Sequence, residues 1–365
     1  MPCTLAPSID LGEPLGGPER RFAKVYVQFF PGHYRRNARW SSVPDKLLPP
    51  CSIEMDVGGA SLRFEKSPAI ALNDQANWDN PIFAIPGERA GKDFYVYAAS
   101  SGNGTGKFVL SNNATQPLGV GFTFENTRKV GGFHCLCVDV GVIAGHSLSG
   151  LTAGAVLPAS VWDLRHRPLA DPEGMVYSEE TGKWYQIYLS DSEGGSTYQS
   201  PIAQMYTASP IDGYAPGSKF WHILSLGRRR MKLLDRSEFL LVSRGSNQET
   251  RAAGENEPTL AGGHSDSEGR RMISNIGLED CCGYAWQWLR DNPLVNYGMG
   301  WNAQPNDPTD GHGDINAQSS GLAAGGSVNI DMIRSGSAAL MTVIAEWEPI
   351  SWIAGRGCSL PLLCN

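Results

Sequence analysis

The chain is poor in charged residues and has no long apolar run. Charged side chains make up 18% of its 365 residues, and the formal net charge is −7. Because phosphate backbones are bound by basic surfaces, this acidic balance argues against a nucleic-acid partner. No apolar run approaches the roughly 20 residues that span a bilayer, so no membrane insertion is expected. The amino-terminal stretch lacks the basic and apolar regions of a signal peptide, which predicts a soluble protein made in the cytoplasm.

The chain also lacks the common catalytic motifs. It contains neither the C-x-x-C of a thioredoxin-type site nor the G-x-S-x-G of a hydrolase. The segment "SGNGTGKF" (101–108) departs from the phosphate-loop pattern at both ends, and "HCLC" (134–137) has no second pair of zinc ligands nearby. Eight cysteines are too few for a disulfide scaffold, so we expect mostly free, buried thiols, with one or two bridges left open. No enzyme is predicted from these residues.

Glycine and proline are abundant, with 43 and 24 residues. Together with the low charge they predict short strands joined by many turns. Residues 1–152 contain several β-branched and aromatic runs, such as "DFYVYAAS", "LGVGFTFEN" and "FHCLCVDVGVIAG", and we predict a β-rich first domain built as an antiparallel sandwich or barrel. The small, uncharged stretch at 147–160 suggests a boundary to a second domain at 153–365.

The second domain is predicted to hold about two helices and a small twisted antiparallel sheet, which gives an α+β fold overall. "GSKFWHILSLGRRR" has apolar residues at helical spacing and basic residues at its end, where the helix dipole favours them. "DRSEFLLVSRG" begins with Asp235 and has Glu238 three residues later, which is a capping-box pattern. The basic run "RRRMK" is interpreted as a helix exit with a solvated face.

One short stretch, "GLEDCCGYAWQWLRDN", concentrates the aromatic residues. Tyr284, Trp286 and Trp288 occupy every second position, which predicts a strand with three aromatics on one face. We interpret them as a structural frame, since aromatics at this period are mostly core residues. The adjacent Cys281 and Cys282 lack redox spacing and are interpreted as part of the same frame.

The polar loop at 300–321 carries Asp307, Asp310 and Asp314. Their oxygens suit Ca²⁺, but the spacing does not match an EF-hand, and Asp also simply favours turns. No cofactor is expected, and a Ca²⁺ site at these three residues stays a minor alternative.

Three segments resemble a known superfamily. "RMKLLDRSEFLLVSRG", "GLEDCCGYAWQWLRDN" and "AALMTVIAEWEPISWIAGRGC" are similar, in order and spacing, to segments of the formylglycine-generating-enzyme superfamily, over roughly residues 160–365. Within it, "LPASVWDLRHRPLADPEGMVY", "GSNQETRAAG" and their neighbours most resemble the variable proteins of diversity-generating retroelements in phages. The resemblance implies a C-type lectin fold in the second domain.

The resemblance also implies a function. Members of this family display a hypervariable binding patch near the carboxyl terminus, and phage members use it to bind the host surface, so the expected partner is a host-surface protein or glycan. A location on the virion or tail, with the first domain serving assembly or attachment, follows from the same resemblance, and a homo-oligomer is left open. Carried onto this sequence, the patch comprises Trp347, Glu348, Pro349, Ile350, Ser351, Trp352, Ile353 and Arg356.

Two other functions remain as alternatives. The enzyme branch of the superfamily is a copper oxidase with two carboxyl-terminal cysteines, and Cys358 and Cys364 are the candidates here, although their neighbours do not match. A Ca²⁺-dependent carbohydrate-binding lectin would use the loop at 300–321 instead.

Overall fold

A computed structural model gives the structure of the chain. It describes residues 27–28, 40–49, 52–65, 69–119, 121–190, 197, 200, 209–254, 258–291, 320–328, 335–346 and 349–362. The fold is mixed α+β, with four sheets and three α-helices among these residues, which confirms the predicted class.

The first half is dominated by a seven-stranded sheet. In spatial order its strands are β1 (Val27–Gln28), β4 (Ile53–Val57), β5 (Ala60–Phe64), β8 (Thr105–Ser111), β7 (Asp93–Gly102), β9 (Thr127–His134) and β10 (Trp162–Asp163). Neighbours are antiparallel except β5 and β8, which are parallel. A smaller antiparallel sheet joins β2 (Ser41–Val43), β3 (Lys46–Leu48) and β6 (Ile70–Ala71).

Two strand predictions in this half were wrong in part. Residues 118–119 and 121–126 contain turns and no strand, and the run at 133–145 leaves β9 after His134. The first of these runs contains Gly119, Gly121 and Asn126, residue types that favour turns over ladder pairing.

The second half contains two four-stranded sheets, where one small antiparallel sheet was predicted. The first has the order β11 (Met175–Ser178), β12 (Lys183–Gln186), β18 (Gly357–Ser359), β13 (Lys232–Leu233) and is antiparallel throughout. The second has the order β16 (Gly336–Ala345), β15 (Ser320–Gly325), β14 (Trp286–Trp288), β17 (Ile353–Ala354), and its β14–β17 pair is parallel. Tertiary pairing therefore divides strands that sequence alone assigned to one sheet.

Both predicted helices are present. A short helix, α1 (Pro86–Arg89), precedes them in the first half. Ser218 caps α2 (Lys219–Arg228) by accepting from the amide of Trp221. The capping box of α3 (Arg236–Val242) is complete, because Asp235 accepts from the amide of Glu238 and the Glu238 carboxylate accepts from the amide of Asp235. Helix α2 ends at Arg228, so the basic run is a helix exit, as predicted.

Residues on both sides of the predicted boundary at 152/153 share one buried cluster and one sheet. Leu136, Leu148 and Leu157 belong to the same buried cluster as Trp221 and Cys358. The seven-stranded sheet also includes β10, beyond residue 152. The boundary stays a prediction, with residues 136–157 contributing to a core of the second half.

Candidate functional site

Strand β14 is the centre of the frame beneath the predicted patch. Trp286 and Trp288 are buried in one cluster with Leu226, Leu233 and Ile353. The Trp288 ring packs so closely on Gly321 that a Cβ there would lie 2.4 Å from its Cζ3 atom, and its Nε1 donates to the Gly217 carbonyl at 3.1 Å. These contacts fix the strand between α2 and β15.

Tyr284 does not share this face. It lies outside β14 and belongs to another buried cluster, where its ring stacks on His264 with centroids 4.0 Å apart. Its hydroxyl accepts from the amides of Thr259 and Leu260 at 2.7 and 2.9 Å. The expectation of three aromatics on one face therefore fails for Tyr284, because the strand begins only at Trp286.

Arg356 is a buried connector and does not lie at the surface. Its side chain is 1% exposed, and its guanidinium donates to the carbonyls of Gln186 and Ile187, at 2.8 and 2.6 Å, and to that of Glu279. Its Nε donates to Oε1 of Gln287 at 2.9 Å. Burial lowers the pKa of the Arg356 guanidinium from its usual range. The geometry corrects its expected place in the patch, since no donor of this side chain reaches solvent.

Gln287, in β14, links Arg356 to the 279–281 loop through its side-chain amide. While its Oε1 accepts from Arg356, its Nε2 donates to the carbonyls of Asp280 and Cys281 at 3.1 and 3.0 Å. Arg356 and Gln287 together tie β12, the 279–281 loop and β14 into one unit.

The segment before the predicted patch is held by a buried ion pair. Lys219, the first residue of α2, lies with its Nζ 2.7 Å from Oε1 of Glu346, and the two side chains are 1% and 5% exposed. The Lys219 amide also donates to the Glu346 carbonyl at 2.8 Å. Because breaking a buried pair leaves an uncompensated charge, this contact fixes where the chain leaves β16.

The segment after the patch is held by β14. Ile353 and Ala354 form β17 and pair with Trp286 and Gln287. The Trp286 amide donates to the Trp352 carbonyl at 3.0 Å. Ile353 is 0% exposed, which corrects its expected place in the patch, because pairing in β17 turns it into the tryptophan cluster.

Between these two anchors lies a short turn, which we call the tip (residues 349–352). Pro349 and Ser351 are exposed, while Ile350 and Trp352 are half-buried against the tryptophan cluster. Trp347 and Glu348, also predicted for the patch, lie outside the described residues. The structure thus brings four of the predicted residues together at the surface.

Lys219, Glu346 and Gln287 were not identified from the sequence. A charged residue inside the apolar runs "SKFWHIL" and "VIAEWEP" is the available signal for the first two, since a charge there needs a buried partner. Their separation of 127 residues gave no means of pairing them.

The described cysteines lie in the interior of the protein. Five of them, Cys135, Cys137, Cys281, Cys282 and Cys358, are free and buried. Burial raises the pKa of the Cys358 thiol to about 12, so it is protonated at neutral pH. Its proposed oxidase partner, Cys364, lies outside the described residues.

The other candidate metal positions give no assembled site within the described part of the chain. His134 bonds Asp93 Oδ1 at 3.0 Å through Nδ1 and the Tyr188 hydroxyl at 2.9 Å through Nε2. No group of three His, Cys, Asp or Glu suited to a metal occurs among the described residues. Asp307, Asp310 and Asp314 lie outside them. No helix in the described ranges has the length and apolar character needed to cross a membrane.

Comparison with known proteins finds a matching family model and several solved structures with a similar fold. Residues 47–163 match the family model described as the Mtd second domain. The solved U1 and M1 variants of the major tropism determinant are each 24% identical to the chain, with a TM-score of 0.70, and the I1 variant is 23% identical, with a TM-score of 0.71. Each match covers 88% of this chain and 82% of the other. No curated protein matches the chain. The chain is therefore Mtd-like: it has the fold of the major tropism determinants, and its residues 47–163 are similar to the Mtd second domain.

Proposed function

We propose that this chain is a non-catalytic receptor-binding protein that displays a diversified patch on a C-type lectin scaffold. The proposed patch consists of the tip together with Trp347 and Glu348, and its target is a protein or glycan on the surface of a phage or prophage host. The similar solved structures are named tropism determinants, which supports a role in host choice. Attachment to a phage tail through the first half belongs to the same proposal.

The observation that carries the proposal is the contrast between the tip and its two anchors. Lys219 and Glu346 form a buried pair on one side, and β17 is buried against β14 on the other. Between them, Pro349 and Ser351 are exposed. The exposed side chains of this turn, Pro349 and Ser351, can be replaced without removing a core contact.

This arrangement suits a binding surface physically. A loop on a rigid scaffold loses little conformational entropy when it binds, so more of the contact energy appears as affinity. The half-buried Trp352 offers an aromatic face next to the exposed residues, and aromatic side chains often dominate interface energies.

The binding role is tested with labelled protein on cells of the host bacterium. The triple variant Pro349→Ala, Ile350→Ala, Ser351→Ala is expected to bind cells at least about tenfold more weakly, since hot-spot truncations cost about 2 kcal/mol or more. It should stay folded, with a loss of stability of about 1 to 2 kcal/mol from the half-buried Ile350. Phe124→Ala is the matched control, because Phe124 is 53% exposed and lies in the first half. Undiminished binding by the triple variant would refute the proposed patch.

Diversification is tested separately on DNA. A near-copy of the 3′ coding segment, differing mainly at its adenines and lying beside a reverse-transcriptase gene, is the expected finding. Its absence would leave a static binding protein in place of a diversified one.

A further inference from the structure

His222 is a titratable side chain buried beside the tip's anchor. It lies on α2 with 0% exposure, and its ring packs at 5.1 Å, edge to face, on the neighbouring Trp221. Neither Nδ1 nor Nε2 has a hydrogen-bond partner among the described residues. A buried imidazole without partners is stable only in its neutral form, because a charge there would be neither solvated nor paired.

The ring of His222 lies directly against the segment that follows the tip. A Cβ on Gly355 would lie 2.4 Å from its Nδ1 atom, so only glycine leaves room for the ring. The Gly355 carbonyl accepts from the amide of Ser190 at 2.8 Å. Gly355 separates β17 from Arg356, and so the imidazole contacts the chain between the strand that anchors the tip and the buried arginine that follows it.

The charged groups on the packed elements do not favour a proton on this ring. On α2 these are Lys219, paired with Glu346, and Arg228 at the helix end. On the segment after the tip, the charged residue is Arg356, which is also a cation. Burial lowers the pKa of His222 from 6.5 to about 3, with no charged neighbour contributing.

We propose that His222 makes the support of the tip acid-labile: uptake of a proton drives the ring out of its site against Gly355 and loosens the 353–356 segment. The consequence for host binding rests on the function proposed above, whereas the acid-labile contact itself does not. Acidification would then release the tip from its frame without any change in the tip's own residues.

The pH window follows from the two pKa values. The folded protein binds this proton less well than the unfolded chain, so the stabilisation is complete above pH 6.5 and declines as the pH falls towards about 3. The equilibrium constant for opening rises up to tenfold for each pH unit in that window. Between pH 7.5 and 5.0 this one group contributes a factor of about thirty.

The test compares the wild type with His222→Phe and His222→Gln by denaturant unfolding at pH 7.5 and 5.0, followed by tryptophan fluorescence. The wild-type unfolding constant is expected to rise about thirtyfold more than that of either variant over this interval. Hydrogen exchange at residues 353–356, corrected for its intrinsic pH dependence, should rise with acid in the wild type only. Equal pH dependence in wild type and both variants would overturn the proposal.

His146→Gln is the matched control. Burial also lowers the pKa of His146, but its ring bonds the Ile273 carbonyl and the Leu148 amide, away from the tip. This variant should keep the acid-dependent exchange at 353–356. Loss of that exchange in His146→Gln would contradict a local role for His222.

Wild-type NMR decides the question even where a variant does not fold. The His222 imidazole should stay neutral down to about pH 4.5 in the folded protein, and a titration midpoint near 6.5 would overturn the proposal. None of these measurements uses a receptor. Failure of the patch variants and failure of the acid-labile contact are therefore distinguishable.

Discussion

Among the described residues, two arginines are less than 2% exposed, Arg89 in the first half and Arg356 in the second, and the two differ in what they connect. Arg89 donates to four carbonyls and one side-chain amide, whose residues lie between 5 and 65 positions away. Arg356 donates to three carbonyls and one side-chain amide, between 69 and 170 positions away. Neither guanidinium has a carboxylate among these hydrogen-bond partners.

The two arginines differ in how far along the chain their hydrogen-bond partners lie. Four of the five partners of Arg89 lie within 17 positions of it, in neighbouring turns and helices that can form locally, and only Gly154 is distant. The partners of Arg356 come from β12, the 279–281 loop and β14, which meet only when most of the second half is assembled. The support of the tip thus depends on long-range contacts, although the tip itself is only four residues long.

The largest effect is expected when each arginine is removed in turn. Arg356→Met leaves several buried acceptors unpaired and should lower the free energy of unfolding by about 5 kcal/mol, and Arg89→Met by about 4 kcal/mol. Hydrogen exchange distinguishes the two variants. Arg89→Met should raise the amide exchange rate near residues 72–84, and Arg356→Met should raise it at residues 186–187, 279–281 and 287. Arg228→Met, at an exposed site, should change stability by less than about 0.5 kcal/mol. If Arg356→Met raised the exchange rate only at residues near 356, the long-range role of Arg356 would be refuted.

Loss of the buried ion pair should come next. Lys219→Met leaves the Glu346 carboxylate buried and unpaired, which should cost about 3 kcal/mol in denaturant unfolding. The double variant Lys219→Met, Glu346→Met should recover most of that loss, since no charge is then left unpaired.

An exposed pair provides the control for this prediction. Arg244 and Glu180 lie 2.8 Å apart with side chains 58% and 53% exposed, and Arg244→Met should cost less than about 1 kcal/mol. Equal losses from the two pairs would show that burial does not set the strength of the anchor.

A smaller loss is expected from crowding the frame. Gly321→Ala places a methyl group against the Trp288 ring and should destabilise the protein by about 2 kcal/mol, measured by thermal or denaturant unfolding. Gly227→Ala is the control, because it lies in α2 with no atom within 4 Å of the added carbon, and should stabilise by about 0.5 kcal/mol. A neutral Gly321→Ala would indicate that Trp288 is free to shift.

The smallest effect on stability is expected at the tip. Pro349→Ala and Ser351→Ala remove exposed side chains and should change the free energy of unfolding by less than about 0.5 kcal/mol. A loss above about 2 kcal/mol at either position would make the tip part of the frame and remove the contrast with its anchors.

Local patterns gave the parts of this fold that depend on neighbouring residues. The capping box of Asp235 and Glu238 spans three residues, and both of its hydrogen bonds are present. The helical spacing in α2 was equally readable, because its cap and its apolar face lie within one short segment.

Long-range contacts explain what the sequence could not give. Arg356 appeared next to an exposed patch, but its partners lie far away along the chain, so its burial could not be inferred. Tyr284 followed the two-residue period of Trp286 and Trp288, yet the strand starts after it, at a point set by pairing with β15 and β17. Periodicity describes a face only where the strand is continuous.

The parallel pairing of β17 with β14 has a consequence for chain length. Since Ile353 and Ala354 are registered on Trp286 and Gln287, residues inserted before them would bulge into solvent and leave the register unchanged. Closing a longer loop costs little, about 0.6 kcal/mol for each doubling of its length. The same scaffold can therefore carry loops of different length before β17. Natural variants of this molecule can then differ in the size of this loop as well as in its composition.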